Sequence, residues 1–236
     1  MINKKLNDPK LNYIFLQHGV MYMVSLNSNA RKFFHKKKTE GLKRVVVSSQ
    51  VEKKHFVDYA GYSVDDIYVC GLPKFDRNVW NKNADKIIIM PTWRPWEYNE
   101  DRLSFTETKY YKMIIKILNA IPEKYRENII VLPHPLIAES MAKIDDDILK
   151  YINFESKYDD LLKDTKVLIT DYSSIAYDAF YRGSNVIFYW EEKDYCMDCY
   201  GENTKLMLNE ENCFGDICYN PEELKKVFER NYLENQ

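Results

Sequence analysis

Short apolar runs rich in β-branched residues, separated by longer helical segments, constrain the fold of this chain more than any other sequence feature. Runs such as Val45-Val46-Val47 and Ile87-Ile88-Ile89 are apolar without alternation, which is typical of strands buried on both faces. Strands that alternate with helices indicate an α/β fold built on a doubly wound parallel sheet. The predicted strands are Tyr13–Leu16, Arg44–Val47, Asp66–Val69, Lys86–Met90, Asn128–Leu132, Lys166–Thr170 and Asn185–Tyr189.

Six helices are predicted between and after these strands. Asn220 is a candidate N-cap for the last helix, with Pro221 at its first helical position. The stretches Trp93–Thr106 and Glu191–Asn220 lack a helical or strand pattern and are predicted to be long loops. The predicted helices are Val51–Tyr59, Glu107–Ala120, Leu136–Leu149, Tyr158–Lys163, Ser174–Tyr181 and Pro221–Asn231.

The charge of the chain is nearly balanced overall but uneven along the sequence. A formal net charge of −2 over 236 residues argues against a nucleic-acid partner. The segment from Arg31 to Lys54, however, contains nine Lys or Arg and only two Glu. Two interpretations stay open for it: a solvated helix face, or a surface that meets an anionic membrane or a polyanionic acceptor.

Apolar segments and cysteines indicate the compartment. No apolar run reaches the length of a membrane span, and the first ten residues lack the apolar core of a signal peptide. Five cysteines fit a reducing cytosol better than a disulfide scaffold, so a cytoplasmic protein is predicted. The spacing of Cys196, Cys199, Cys213 and Cys218 lacks the tight knuckle of a zinc ribbon, which favours ordinary thiols over a metal site.

Polar clusters directly follow six of the predicted strands. If all strands belong to one parallel sheet, these clusters share one edge, the edge where such sheets bind ligands. The clusters are Gln17-His18-Gly19, Ser48-Ser49, Gly71-Leu72-Pro73-Lys74-Phe75-Asp76-Arg77, Pro91-Thr92-Trp93-Arg94, Pro133-His134-Pro135 and Asp171-Tyr172-Ser173-Ser174.

The last cluster joins a buried strand to a helix. Free backbone N–H groups and the helix dipole favour an anion at such a junction, and the hydroxyls of Ser173 and Ser174 add donors. This pattern predicts a seat for a diphosphate without a glycine-rich loop. Plain helix capping by either serine is the alternative.

Two of the four histidines, His18 and His134, follow strands within these clusters. An imidazole can accept a proton from a hydroxyl or, when charged, stabilise a phosphate oxygen. Arg94 and Lys74 could pair with phosphates, or they could form ordinary surface salt bridges.

Five of these motifs, in this order, resemble those of the CDP-glycerol glycerophosphotransferases, the teichoic acid primases and polymerases. They are Gln17-His18-Gly19, Gly71 to Arg77, Pro91-Thr92-Trp93-Arg94, His134-Pro135, and Asp171 to Ser174 followed by Asp178. The resemblance implies a GT-B architecture, in which two Rossmann-like domains flank a cleft and the C-terminal half holds a CDP-alditol. It implies neither a metal nor a cofactor.

The same resemblance implies roles for individual residues. His18 would be the general base acting on the acceptor hydroxyl, and His134 would assist at the diphosphate. Ser173, Ser174 and Asp178 would lie in the nucleotide-diphosphate site. The remaining candidates for donor or phosphate binding are Gly71, Lys74, Thr92, Arg94 and Asp171.

Family members carry a further N-terminal domain, whereas seventeen residues precede His18 here. Residues 1–30 are therefore expected to be an interdomain segment or remnant of the acceptor-side domain, and residues 31–236 the CDP-alditol-binding domain. The missing domain would reflect truncation or be supplied by another chain.

The implied reaction transfers glycerol phosphate or ribitol phosphate from the CDP-alditol to a polymer or lipid-linked acceptor and releases CMP. Two alternatives stay open: a CMP-sialic-acid-dependent glycosyltransferase and a non-catalytic nucleotide-binding subunit.

Overall fold

A computed structural model describes residues 10, 12–28, 35–38, 41–77, 79–97, 104–144, 146–153 and 158–234. The eight strands are β1 (Tyr13–Phe15), β2 (Leu42–Val47), β3 (Ile67–Val69), β4 (Lys86–Ile89), β5 (Ile129–Val131), β6 (Thr165–Thr170), β7 (Asn185–Tyr189) and β8 (Asp216–Cys218). The seven α-helices of these ranges are α1 (Gln50–Ala60), α2 (Lys109–Ala120), α3 (Pro135–Ala142), α4 (Tyr158–Leu162), α5 (Ile175–Tyr181), α6 (Lys193–Tyr200) and α7 (Pro221–Leu233).

The chain divides into two compact units, and neither is a single stretch of sequence. The first contains residues 1–77 and 193–212, and the second contains residues 78–192 and 213–236. Each unit is built on its own parallel sheet, so the predicted parallel α/β class is confirmed. The boundary expected near residue 30 does not coincide with either unit, and that residue lies outside the described ranges.

The first unit is a three-stranded parallel sheet in the order β1-β2-β3. Helix α1 connects β2 to β3, as a parallel pair requires. It begins at Ser49, whose hydroxyl accepts a hydrogen bond from the backbone N–H of Glu52 at 3.2 Å. Val45, Val47 and Phe56, each 0% exposed, pack at the centre of this unit's core.

The second unit is a five-stranded sheet in the order β5-β4-β6-β7-β8, with every pair parallel. Counted within the unit, this order is 2-1-3-4-5, a doubly wound arrangement whose direction of winding reverses between β4 and β6. The apolar runs of β4 and β6 are buried, with Ile87, Ile89, Val167 and Ile169 each 0% exposed. This burial on both faces explains why these strands lack alternation.

All seven predicted strands are present, but they do not form one sheet. Between β3 and β4 the described residues contain only the 3₁₀ turn Pro73–Arg77. A right-handed crossover that returns a strand to the same sheet usually contains a helix, and none is described here. The six polar clusters therefore fall at two edges: three follow β1–β3 and three follow β4, β5 and β6.

Two local predictions need correction. The predicted helix Leu136–Leu149 ends at Ala142. The side chain of Asp146 instead accepts a hydrogen bond from the N–H of Ile148 at 3.0 Å and starts a separate 3₁₀ turn, because Asp favours N-caps over helix interiors. The predicted loop Glu191–Asn220 contains α6 and β8. By contrast, the capping of α7 is confirmed, since Asn220 Oδ1 accepts from the N–H of Glu223 at 2.9 Å.

Gly215 tests the packing of β8 against β7. A Cβ atom at this position would lie 2.2 Å from the carbonyl oxygen of Val186. Because that oxygen belongs to the backbone, we expect Gly215→Ala to lower the free energy of unfolding by ~3 kcal/mol or more. Gly61→Ala is the control: Gly61 has φ 74° and open space around it, so only the left-handed conformation should cost stability, by ~1 kcal/mol. Urea denaturation would compare the two variants, and equal losses would contradict this packing.

Candidate functional site

At the edge of the first sheet, the segment after β1 carries His18 and meets the segment after β3. His18 is exposed, and its ring lies 6.4 Å from that of Phe15. Lys74 Nζ donates a hydrogen bond to the backbone carbonyl oxygen of His18 at 2.8 Å. Gly71, with φ 79°, adopts the left-handed conformation that turns the chain between β3 and Lys74. The structure thus brings His18, Gly71 and Lys74 to one edge, with Lys74 holding the His18 backbone.

Glu52, a first-turn residue of α1 to which the sequence assigned no role, is 0% exposed. Glu52 Oε1 accepts from the N–H of Met21 at 2.6 Å and from Nε2 of Gln17 at 3.4 Å. Glu52 Oε2 accepts from the N–H and the hydroxyl of Ser48 at 2.7 and 2.8 Å. One buried carboxylate therefore connects the His18 segment to the end of β2. The sequence signal was present as Ser49-x-x-Glu52, a capping-box pattern.

At the second sheet, Asp171 connects the ends of β4 and β6. Its Oδ1 accepts from the N–H of Thr92 at 2.7 Å and from the N–H of Tyr172 at 2.5 Å. The indole N–H of Trp190 donates to the Asp171 carbonyl oxygen at 3.1 Å. These bonds hold the segments after β4, β6 and β7 together at the point where the strand order reverses, the position where such sheets bind ligands.

Asp171 and Arg94 are both buried, and their charges are partly compensated within the second unit. Burial raises the pKa of Asp171, while the positive charge of Arg94 and the backbone N–H of Thr92 oppose this rise. The Arg94 guanidinium forms a close ion pair with Glu192, and its nitrogens lie 3.3 Å from Glu97 and 4.0 Å from Asp171. With a side chain only 2% exposed, Arg94 is engaged by carboxylates in this structure.

The two serines after Asp171 lie at the start of α5. Ser174 occupies the N-cap position with φ −64° and ψ −11°, and its hydroxyl makes no capping hydrogen bond. Ser173 Oγ accepts from the N–H of Ile175 at a long 3.5 Å. Asp178 is on the first turn of the same helix and is 4% exposed. Ser174 is half-buried, and its hydroxyl does not cap the helix.

The segment after β5 joins the same edge through His134. Its imidazole stacks on the indole of Trp93, with ring centroids 5.4 Å apart and planes 21° apart. Burial lowers the pKa of His134 from its ordinary value of 6.5. This shift favours the neutral imidazole, which can accept a proton or a hydrogen bond.

Several cations of the basic segment bind groups of their own unit. Lys36 Nζ donates to the carbonyl oxygens of Leu42 and Lys43 at 3.0 and 3.1 Å, and Arg44 binds Asp66 at 2.6 Å. Lys53 Nζ donates to the carbonyl oxygen of Ile67 at 3.2 Å. Residues 31–34, also part of that segment, lie outside the described ranges.

The cysteines considered for zinc are divided between the units. Cys196 and Cys199 are in α6 of the first unit, whereas Cys213 and Cys218 belong to the second. Within the described part of the chain, no group of three or more His, Cys, Asp or Glu side chains is arranged to hold a metal ion. No helix in those ranges is both long enough and apolar enough to cross a membrane.

The lowered pKa of His134 can be tested by NMR. The His134 imidazole should titrate below pH 6.5, and Trp93→Ala should move the midpoint back toward that value by exposing the ring. Trp80→Ala, which removes a 44% exposed indole of the same unit, should leave the midpoint unchanged. As the pH falls, the unfolded chain binds a proton at this histidine before the folded chain does. The stability that comes from the neutral His134 imidazole is therefore present above about pH 6.5 and is lost as the pH falls below it. A midpoint at or above 6.5 in the unsubstituted protein would contradict this.

Comparison with known proteins identifies relatives of the whole chain. Residues 3–236 match the family described as CDP-Glycerol:Poly(glycerophosphate) glycerophosphotransferase. The minor teichoic acid biosynthesis protein GgaB of Bacillus subtilis (strain 168) is 27% identical over 203 residues, which are 78% of this chain and 21% of GgaB.

The solved structure of the wall teichoic acid polymerase TagF is similar in fold, with a TM-score of 0.67 and 18% identity over 94% of this chain and 60% of that chain. A TagF variant soaked with CDPG gives a TM-score of 0.65 at 17% identity, with the same coverage. The chain thus spans less than two thirds of either relative. Because the family match extends over nearly every residue, the chain belongs to the CDP-glycerol:poly(glycerophosphate) glycerophosphotransferase family.

Proposed function

We propose that this chain takes part in transferring an alditol phosphate, glycerol phosphate or ribitol phosphate, from a CDP-alditol to a hydroxyl of a polymer or lipid-linked acceptor. The observation that carries the proposal is the reversal point between β4 and β6, where Asp171 binds Thr92 and is followed by Ser173 and Ser174. Family membership supports the same chemistry, and the names of GgaB and TagF place those relatives in teichoic acid synthesis.

In the proposed reaction, the acceptor hydroxyl oxygen attacks the phosphorus that carries the alditol. A new phosphorus–oxygen bond forms, the bond from that phosphorus to the bridging oxygen breaks, and CMP leaves with the bridging oxygen. The hydroxyl proton passes to His18, which acts as general base. Charge that develops on the diphosphate must be stabilised by donors already in place.

The residues at the second sheet edge take the donor roles in this proposal. Ser173 and Ser174 offer hydroxyls, and Thr92 and Asp171 fix the backbone around them. Asp178 supports the first turn of α5 behind the serines. A bound diphosphate would raise the pKa of His134, and the charged imidazole would then donate a hydrogen bond to the departing CMP.

Three candidates from the sequence receive a different role in the proposal. Arg94 has Glu192, Glu97 and Asp171 around its guanidinium, so it would position these carboxylates rather than bind phosphate directly. Lys74 would hold the His18 backbone. Gly71 would provide the turn that brings Lys74 there.

We also propose where the chain meets its acceptor. The chain spans 60% of TagF, so acceptor contacts would come partly from a region it does not contain, in the same protein or in another chain. The basic segment supports a peripheral position at an anionic membrane on the cytoplasmic side. Because Lys36, Arg44 and Lys53 bind groups of their own unit, exposed Lys37 is the better candidate for that contact.

Donor binding tests the proposed function without requiring turnover. CDP-glycerol or CDP-ribitol should raise the melting temperature, and CMP-sialic acid should not. Replacing both Ser173 and Ser174 with Ala should weaken CDP-alditol binding by ~1.5–3 kcal/mol for each lost charge-assisted hydrogen bond, as measured by calorimetry. Ser104→Ala, a change in an exposed serine of the same unit, is the control. Stabilisation by CMP-sialic acid instead would favour the glycosyltransferase alternative, and unchanged affinity in the double variant would remove the diphosphate from this position.

Turnover tests the general base. His18→Ala should leave donor affinity nearly unchanged and reduce CMP release by roughly 10²–10⁴-fold, the range for general base catalysis. His134→Ala should reduce both affinity and rate. The assay needs a form of the protein with measurable CMP release. Normal turnover of His18→Ala, or a loss of donor affinity as large as that of the double serine variant, would show that His18 is not the base.

A further inference from the structure

The segment that carries His18 is fixed on both sides of the histidine, although the imidazole itself is exposed. Before it, Gln17 Nε2 donates to the carbonyl oxygen of Val46 at 2.8 Å. After it, the N–H of Met21 donates to Glu52 at 2.6 Å. Lys74 holds the carbonyl oxygen of His18 itself. An exposed side chain on an anchored backbone suits a group that must meet a second molecule in one orientation.

Gln17 adopts a backbone conformation that its side chain must stabilise. Its φ of 61° is the only positive φ among the described residues other than glycine. For a residue with a Cβ atom this conformation is unfavourable and persists where the surroundings enforce it. Here the surroundings are the Val46 carbonyl oxygen and the Glu52 carboxylate, both contacted by the Gln17 amide. The strained residue Gln17 therefore directly precedes His18, and its side-chain amide is bound by Glu52.

Helix capping does not account for these contacts of Glu52. In a capping box, the Glu side chain binds the N–H of the N-cap residue, which is Ser49 in α1. Glu52 instead binds the N–H and hydroxyl of Ser48 and reaches Met21 and Gln17, which are 31 and 35 residues away in sequence. The long-range contacts serve the His18 segment, not the helix end.

We propose that Glu52 is a positioning residue, whose buried carboxylate sets the backbone from Gln17 to Met21 and thereby the direction in which His18 presents its imidazole. The proposal rests on the proposed function, in which His18 is the base. All the groups that contact the Glu52 oxygens are donors, and a carboxylate can accept through both oxygens. A Gln side chain has only one such oxygen, and its NH₂ group would face another donor.

Glu52→Gln is therefore the most specific test, because it preserves the size of the side chain and removes one of its two acceptor oxygens. In a form with measurable CMP release, kcat should fall roughly 10- to 100-fold, as expected when a catalytic group is misplaced by about 1 Å. Donor affinity should stay within about twofold of the unsubstituted protein, because the proposed donor residues belong to the second unit. Asp58→Asn, which neutralises an exposed carboxylate of the same helix, should change neither quantity.

A second readout does not depend on turnover. In NMR spectra of histidine-labelled protein, the His18 signal should shift or broaden in Glu52→Gln, while the His134 signal should stay in place. Gln17→Ala should move the His18 signal in the same way. This variant replaces Glu52→Gln in the experiment if Glu52→Gln does not fold. Gln17→Gly allows the positive φ without strain but removes the side-chain amide. If the amide anchors the segment, this variant should also shift or broaden the His18 signal.

The outcomes separate this inference from the proposed function. Normal kcat and an unchanged His18 signal in Glu52→Gln, with His18→Ala inactive, would overturn the role of Glu52 and leave the base in place. An active His18→Ala would overturn the base assignment, and the His18 signal would still decide whether Glu52 anchors the segment. A loss of donor affinity in Glu52→Gln equal to its loss of rate would indicate a general structural defect and would also overturn the proposal.

Discussion

The arrangement of the second sheet edge depends on the hydrogen bonds that the Asp171 carboxylate accepts. Strand hydrogen bonds pair β4 with β6 only as far as Ile89 and Ile169. Beyond that point Met90 bonds to Ile169 and Thr170, and Asp171 extends this connection by accepting from the N–H of Thr92. The order of the strands reverses here, and open α/β sheets bind ligands at such a point. Every donor-binding role proposed for this unit relies on these hydrogen bonds.

Features of the fold that have a local cause in the sequence were predicted, whereas features set by contacts between distant residues were not. Runs such as Ile87-Ile88-Ile89 revealed buried strands because burial on both faces removes the alternation. Strand β8, Asp-Ile-Cys, was missed because three mixed residues carry no pattern, and its place is set by pairing with β7. The division into two sheets was also missed, since which strands pair is decided by distant parts of the chain.

For the candidate site, too, local features were predicted and long-range contacts were not. The motifs follow strands as predicted, but the expectation that all six share one edge was wrong. Ser173 and Ser174 do lie where a strand meets a helix. The surroundings of Arg94 were not predictable, because Glu192 is 98 residues away and nothing local connects the two. Glu52 was overlooked for the same reason, because its partners Met21 and Gln17 are 31 and 35 residues away in sequence.

The discontinuous first unit has a consequence for how the protein is made. Its residues Met23 to Ser25 bond with Lys205 to Met207 through the Val24–Leu206 bridge and the flanking backbone hydrogen bonds. During synthesis from the N-terminus, these partners emerge only after most of the second unit has been translated. Residues 193–212 thus reach the first unit only after β4 to β7 of the second have been translated, and β8 and α7 of the second unit follow them. A single cut after Arg77 would separate residues 1–77 from the segment that completes their unit.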